Sequence, residues 1–82
     1  MSHEVVWGRP AIQALLSMPW RDAERVDAAV MRFAETGSGE VRRLPEDHPF
    51  TRRLRVEGYR VRMVLDPGAR RLWVVMIYRA DR

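Results

Sequence analysis

Two hydrophobic periods divide the chain. Glu4-Val5-Val6-Trp7 reads as a short strand, and Gly8-Arg9-Pro10 breaks it. Pro10 suits the first turn of a helix, where its missing N–H costs nothing. Ala11, Ile12, Leu15 and Leu16 then recur at helical spacing, which predicts a helix to about Met18 before Pro19 interrupts. A longer helix follows over about residues 22–35. Val26, Ala29, Val30, Phe33 and Ala34 form its apolar stripe, while Arg21, Asp22, Glu24, Arg25, Asp27 and Arg32 take the wet positions. Gly37-Ser38-Gly39 closes it, since glycine adopts the left-handed conformation that ends helices. The connection is short enough to make a helical hairpin.

After Gly39 the period falls from 3.6 to 2. Val41 to Leu44 reads as a short strand and Pro45-Glu46-Asp47-His48-Pro49 as a loop. Three strands follow, over about 50–56, 59–65 and 71–78. Glu57-Gly58 is expected to be a two-residue hairpin turn of the kind that matches strand twist, and Asp66-Pro67-Gly68-Ala69 a longer turn. The pattern predicts an α+β fold, a helical hairpin packed on one face of a small, mostly antiparallel sheet, with residues 1–82 forming one domain. Leu72 to Ile77 are apolar at both parities, so the last strand is expected to be covered on both faces. Trp7, Phe33 and Trp73 are assigned to the core, and Trp20, at the helical bend, could face a partner.

Composition narrows the chemistry. A chain of 82 residues buries only about 60% of its unfolded surface and has no room for a large cleft. The absence of cysteine excludes disulfide scaffolds, zinc ribbons and thiol catalysis. No apolar run approaches the roughly 20 residues of a membrane span. The first residues lack the basic and apolar regions of a secretory signal, so the cytoplasm is the expected compartment and no membrane partner is expected. All 15 basic residues are arginine, against 11 acidic ones. Residues 1–41 hold four arginines and six acids, whereas residues 42–82 hold eleven arginines and five acids. That asymmetry points to one polyanion-facing surface.

The hairpin places much of this charge. With Glu57-Gly58 as the turn, Arg55 lies opposite Arg60 and Arg53 opposite Arg62. Leu54, Val56, Tyr59 and Val61 then share the face toward the helices, because side chains alternate along a strand. Like charges paired across strands destabilise a sheet. Four guanidinium groups on one face are therefore expected either to be neutralised by carboxylates from elsewhere or to hold an anion, for which phosphate is the natural candidate. Tyr78 and the arginines after it arrive at the same end of the sheet.

Val41-Arg42-Arg43-Leu44 and the run Arg53-Leu54-Arg55-Val56-Glu57-Gly58-Tyr59-Arg60-Val61 resemble the RelE/ParE superfamily of bacterial toxins, and the resemblance extends over nearly the whole chain. It implies a toxin encoded with a cognate antitoxin. A RelE-type member would be an mRNA interferase, a ribosome-dependent endoribonuclease acting on mRNA in the ribosomal A site. A ParE-type member would inhibit DNA gyrase, and an attenuated relative would only bind its antitoxin. By position, Arg60 matches the arginine assigned to the reacting phosphate and Arg53 a lysine on the preceding strand. Thr51 stands where a second lysine is usual, and Arg79 or Arg82 would supply the arginine of the final segment. RelE proteins usually continue to a tail bearing a functional tyrosine or His-Tyr, for which the resemblance would make Tyr78 the substitute.

The resemblance and the residues together make Arg53, Arg60, Tyr78 and Arg79 the candidate catalytic groups, with Arg43, Arg52, Arg55, Arg62 and Arg82 as RNA contacts. Metal-free RNA cleavage needs the 2′-hydroxyl deprotonated, the phosphorane stabilised and the leaving oxygen protonated. Arginine suits the second task but not proton transfer, its pKa exceeding 12. The proton carriers are sought among Tyr78, His48, Glu46 and Asp47, with His3 a remote candidate. Two distant histidines and scattered carboxylates give no metal-ligand spacing, so neither metal nor cofactor is expected.

Overall fold

The computed structural model describes residues 2–80. Strand β1 (Glu4–Trp7) leads through Gly8 into helix α1 (Arg9–Ser17), with Pro10 in its first turn. Met18 and Pro19 separate it from α2 (Trp20–Thr36), which starts two residues earlier than the apolar stripe predicts. Pro19 explains the early start: its extended backbone sets the direction and its carbonyl accepts the Ala23 N–H at 3.0 Å. Gly37 closes α2 in the left-handed conformation (φ 77°), donating to the Phe33 carbonyl at 2.8 Å.

Four strands complete the chain: β2 (Glu40–Arg42), β3 (Thr51–Val56), β4 (Tyr59–Asp66) and β5 (Arg71–Arg79). The sheet order is β1-β5-β4-β3-β2, antiparallel throughout except for the parallel β1–β5 pair. The expected α+β architecture is therefore present. Strand β2 ends at Arg42 rather than Leu44, because only Glu40, Val41 and Arg42 find partners on β3. The β3–β4 hairpin has the register read from the sequence, with Val56 opposite Tyr59, Arg55 opposite Arg60 and Arg53 opposite Arg62. Its turn differs. Only Gly58 has a positive φ (83°), so this is not a primed turn. Tertiary bonds hold it in place: Arg25 donates to the Glu57 carbonyl at 2.9 Å and Ala80 N–H to the Gly58 carbonyl at 2.9 Å.

The core fills the space between the helices and one face of the sheet. Ala11, Val26, Val30, Phe33 and Ala34 of the helices meet Leu54, Val56, Tyr59, Val61, Met63, Leu72, Val74 and Ile77 of the sheet. Among the described residues no second layer covers the other face. That corrects the expectation for β5, which is flanked by β1 and β4 but covered on one face only. Leu72 and Val74 are fully buried while Trp73 remains 40% exposed. A β-bulge lets Val75 and Met76 together oppose Arg62, returning Ile77 to the core and Tyr78 to the open face. No described helix is long and apolar enough to cross a membrane.

Candidate anion-binding groove

The open sheet face collects the arginines in rows. Arg55, Arg60 and Tyr78 lie side by side across β3, β4 and β5. Arg42, Arg53, Arg62 and Met76 form the next row across β2 to β5. Between them runs a groove of about 550 Å³ lined by these five arginines and Tyr78. Its one lining carboxylate belongs to Glu40, whose Oε2 lies 3.9 Å from Arg55 Nε in an exposed pair. Such a pair offsets little of the repulsion. Arg60 also donates from Nη1 to the Tyr59 carbonyl at 2.8 Å, which fixes its stem on the strand.

Arg53 is the neutralised member. Its Nε and Nη2 donate to Asp47 Oδ2 and Oδ1 at 2.8 and 3.0 Å, a two-pronged fit of guanidinium to carboxylate. The bond to Arg53 holds the Asp47 carboxyl below the ordinary aspartate range and keeps Arg53 more firmly protonated. Asp47 is therefore a poor proton acceptor and acts as the tether of loop 43–50 to the sheet. Some of the charge on this face is thus matched from elsewhere in the chain, as one of the two expectations required. Arg42, Arg55, Arg60 and Arg62 have no comparably close carboxylate among the described residues, apart from the long Glu40 contact to Arg55.

Other sequence-predicted residues fall outside the groove. Arg52 and Arg43 converge on the Pro49 carbonyl, at 2.7 and 3.5 Å, and thereby shape the loop. Burial and the neighbouring Arg43 charge lower the Arg52 pKa. Arg79 pairs with Tyr59, so it takes the helix-side parity and cannot join the groove arginines. It lies instead beside Asp22, Arg25 and Tyr59. There the Tyr59 hydroxyl donates to Asp22 Oδ2 at 2.7 Å, which raises the phenol pKa and ties the hairpin to α2. Arg82 lies outside the described residues.

Among the proton-carrier candidates, Tyr78 alone lines the groove; it is 43% exposed. His48 stands in the loop, its Nδ1 accepting the Phe50 N–H at 3.2 Å and its ring tilted against Phe50. Glu46 is exposed in the same loop. His3 directly precedes β1, far along the chain from the arginine rows, with its backbone N–H donating to the Ala34 carbonyl. Arg42, Glu40 and Trp73 are among the open-face residues that the sequence alone does not single out. The alternation in Glu40-Val41-Arg42 carried the signal for the first two, but the β2–β3 register spans an irregular loop. Trp73 was hidden by the apolar run around it.

A scan against models of protein families finds no match, and a search of curated protein sequences also finds none. Solved structures do match. The chain is similar to the RelE–RelB complex from Pyrococcus horikoshii, with a TM-score of 0.83 and 18% identity over 100% of this chain and 99% of that one. It is similar to the isolated Escherichia coli RelE toxin, with a TM-score of 0.83 and 14% identity over 99% and 87%. The RelBE2 toxin–antitoxin complex from Mycobacterium tuberculosis matches with a TM-score of 0.72 and 19% identity over 98% and 100%. The chain has the fold of the RelE toxins.

Proposed function

We propose that this chain is the toxin of a type II toxin–antitoxin pair and that its open sheet face binds mRNA in the ribosome and cleaves it. The observation carrying this reading is the groove: five guanidinium groups on one face, opposite the face the helices cover, around a volume of about 550 Å³. Arg53, Arg60 and Arg62 would hold the scissile phosphate and stabilise the phosphorane as negative charge develops. Arg42 and Arg55 would take the flanking phosphates. Tyr78, opposite Arg60 across β4 and β5, would relay the proton from the attacking 2′-hydroxyl to the leaving 5′-oxygen. A groove this shallow acts on a strand that another body presents, which fits a substrate already threaded through the ribosome. The fold shared with RelE proteins, three of them solved with or without RelB, supports a cognate antitoxin as the second partner.

Induced expression of the chain tests the reading. Growth arrest accompanied by codon-phased cuts, mapped by primer extension on cellular mRNA, is the expected outcome. Filamentation and DNA breaks without such cuts would instead assign it to gyrase, and unimpaired growth would leave only an antitoxin-binding role.

A further inference from the structure

Beside the arginine rows, the open face carries an apolar row. Val6 of β1, Trp73 of β5 and Val64 of β4 lie side by side at the outward parity. Trp73 is flanked in the chain by Leu72 and Val74, both fully buried on the other face, so its indole points away from the core and stays 40% exposed. Val64 stands two residues from Arg62 on β4, about 7 Å along the strand. The half-buried Met76 lies between the Trp73 and Tyr78 positions of β5. An exposed indole alone would mean little, because scattered apolar side chains are ordinary on protein surfaces. Here the indole continues a surface whose adjoining row is built of guanidinium groups.

Charged grooves flanked by aromatic rings are how proteins hold single-stranded nucleic acid: the cations track the backbone while the rings stack on bases. The step from the Arg62 row to the Trp73 row is that of neighbouring groups along an extended strand. We propose that Trp73, with Val64 and Met76 beside it, is a nucleobase platform. An RNA strand whose phosphate lies on Arg53, Arg60 and Arg62 sets an adjacent base against the indole. The strand runs across the sheet toward β1 rather than stopping at the groove. This rests on the groove being an RNA site, and it adds a contact made to a base instead of a phosphate. Stacking accepts any base, so the platform adds affinity and register with little sequence preference.

Two probes separate the platform from the groove: a single-stranded hexa-adenylate and inorganic tripolyphosphate, titrated against the full chain at low salt. Hexa-adenylate is expected to quench tryptophan emission, and tripolyphosphate to bind without that quench. Trp73→Leu should weaken hexa-adenylate roughly tenfold and leave tripolyphosphate unchanged. Trp73→Phe keeps a ring on the sheet, so it should bind hexa-adenylate within a few-fold of wild type while losing the quench. Wild type that binds tripolyphosphate but not hexa-adenylate overturns the platform and leaves the groove standing. Wild type that binds neither overturns the groove and the platform with it. Equal weakening of both probes by Trp73→Leu, or equal weakening toward an oligoglutamate peptide, also overturns the platform. The first would make Trp73 a structural residue, and the second would make the face a site for an acidic protein segment.

Discussion

The pair formed by Arg53 and Asp47 joins the site to the loop beside it. Asp47 occupies two of the guanidinium donors that a phosphate would otherwise take, so it tempers the groove while anchoring residues 43–50. Asp47→Asn is expected to tighten tripolyphosphate binding by roughly threefold, the weight of one partly solvated charge pair, as read by calorimetric titration. The same pair makes stability depend on pH. The Asp47 pKa is lower in the folded chain than in the unfolded one, so its contribution is complete above about pH 4 and lost as pH falls through the lowered folded value. The melting-temperature gap between wild type and Asp47→Asn should therefore be full at neutral pH and close in acid. A gap that stays constant into acid would mean that the carboxylate charge does not matter to the pair.

At the scale of elements, the β3–β4 hairpin was legible because its signals agree. Alternating Leu54, Val56, Tyr59 and Val61 fix the buried face, and Gly58 marks the turn, so the arginine parity follows without tertiary information. Three features were not legible for a shared reason: each depends on contacts between segments far apart in the chain. Arg42 enters the groove through the β2–β3 register. Trp73 faces outward because both helices lie on the other side of the sheet. Arg79 leaves the groove because the bulge at Val75-Met76 sets the parity of the last strand residues, which local periodicity does not reveal. Tyr59 shows the same dependence in the core, where its hydroxyl needs Asp22 from α2.

The link between α2 and β2 is set by Gly39. Its φ is 142°, and a Cβ there would come within 3.0 Å of Leu54 Cδ1, a fully buried side chain. Gly39→Ala is expected to lower stability by about 1–3 kcal/mol, measured by urea unfolding. Because Glu40 and Arg42 follow directly, the variant should also loosen the β2 side of the groove and weaken anion binding. Wild-type stability in Gly39→Ala would show that the segment shifts without strain.

For the molecule as a whole, the sheet separates two roles. One face binds the helices and supplies the stability of a small chain; the other is left free to hold charge. The imbalance between the halves of the sequence thus becomes in part a division between faces, since β2 to β5 carry the outward arginines and α2 carries four of the six acids of the first half. The proposed role of this face requires the outward arginines to engage phosphates as a group, and the salt dependence of hexa-adenylate binding measures that directly. Each phosphate contact on a single strand adds about 0.7 to the slope of log affinity against log salt. Arg60→Ala should lower affinity and reduce that slope by about 0.7, with circular dichroism showing an intact fold. An Arg60→Ala protein that is folded and keeps both the wild-type affinity and the wild-type slope would contradict the groove as the site of RNA binding.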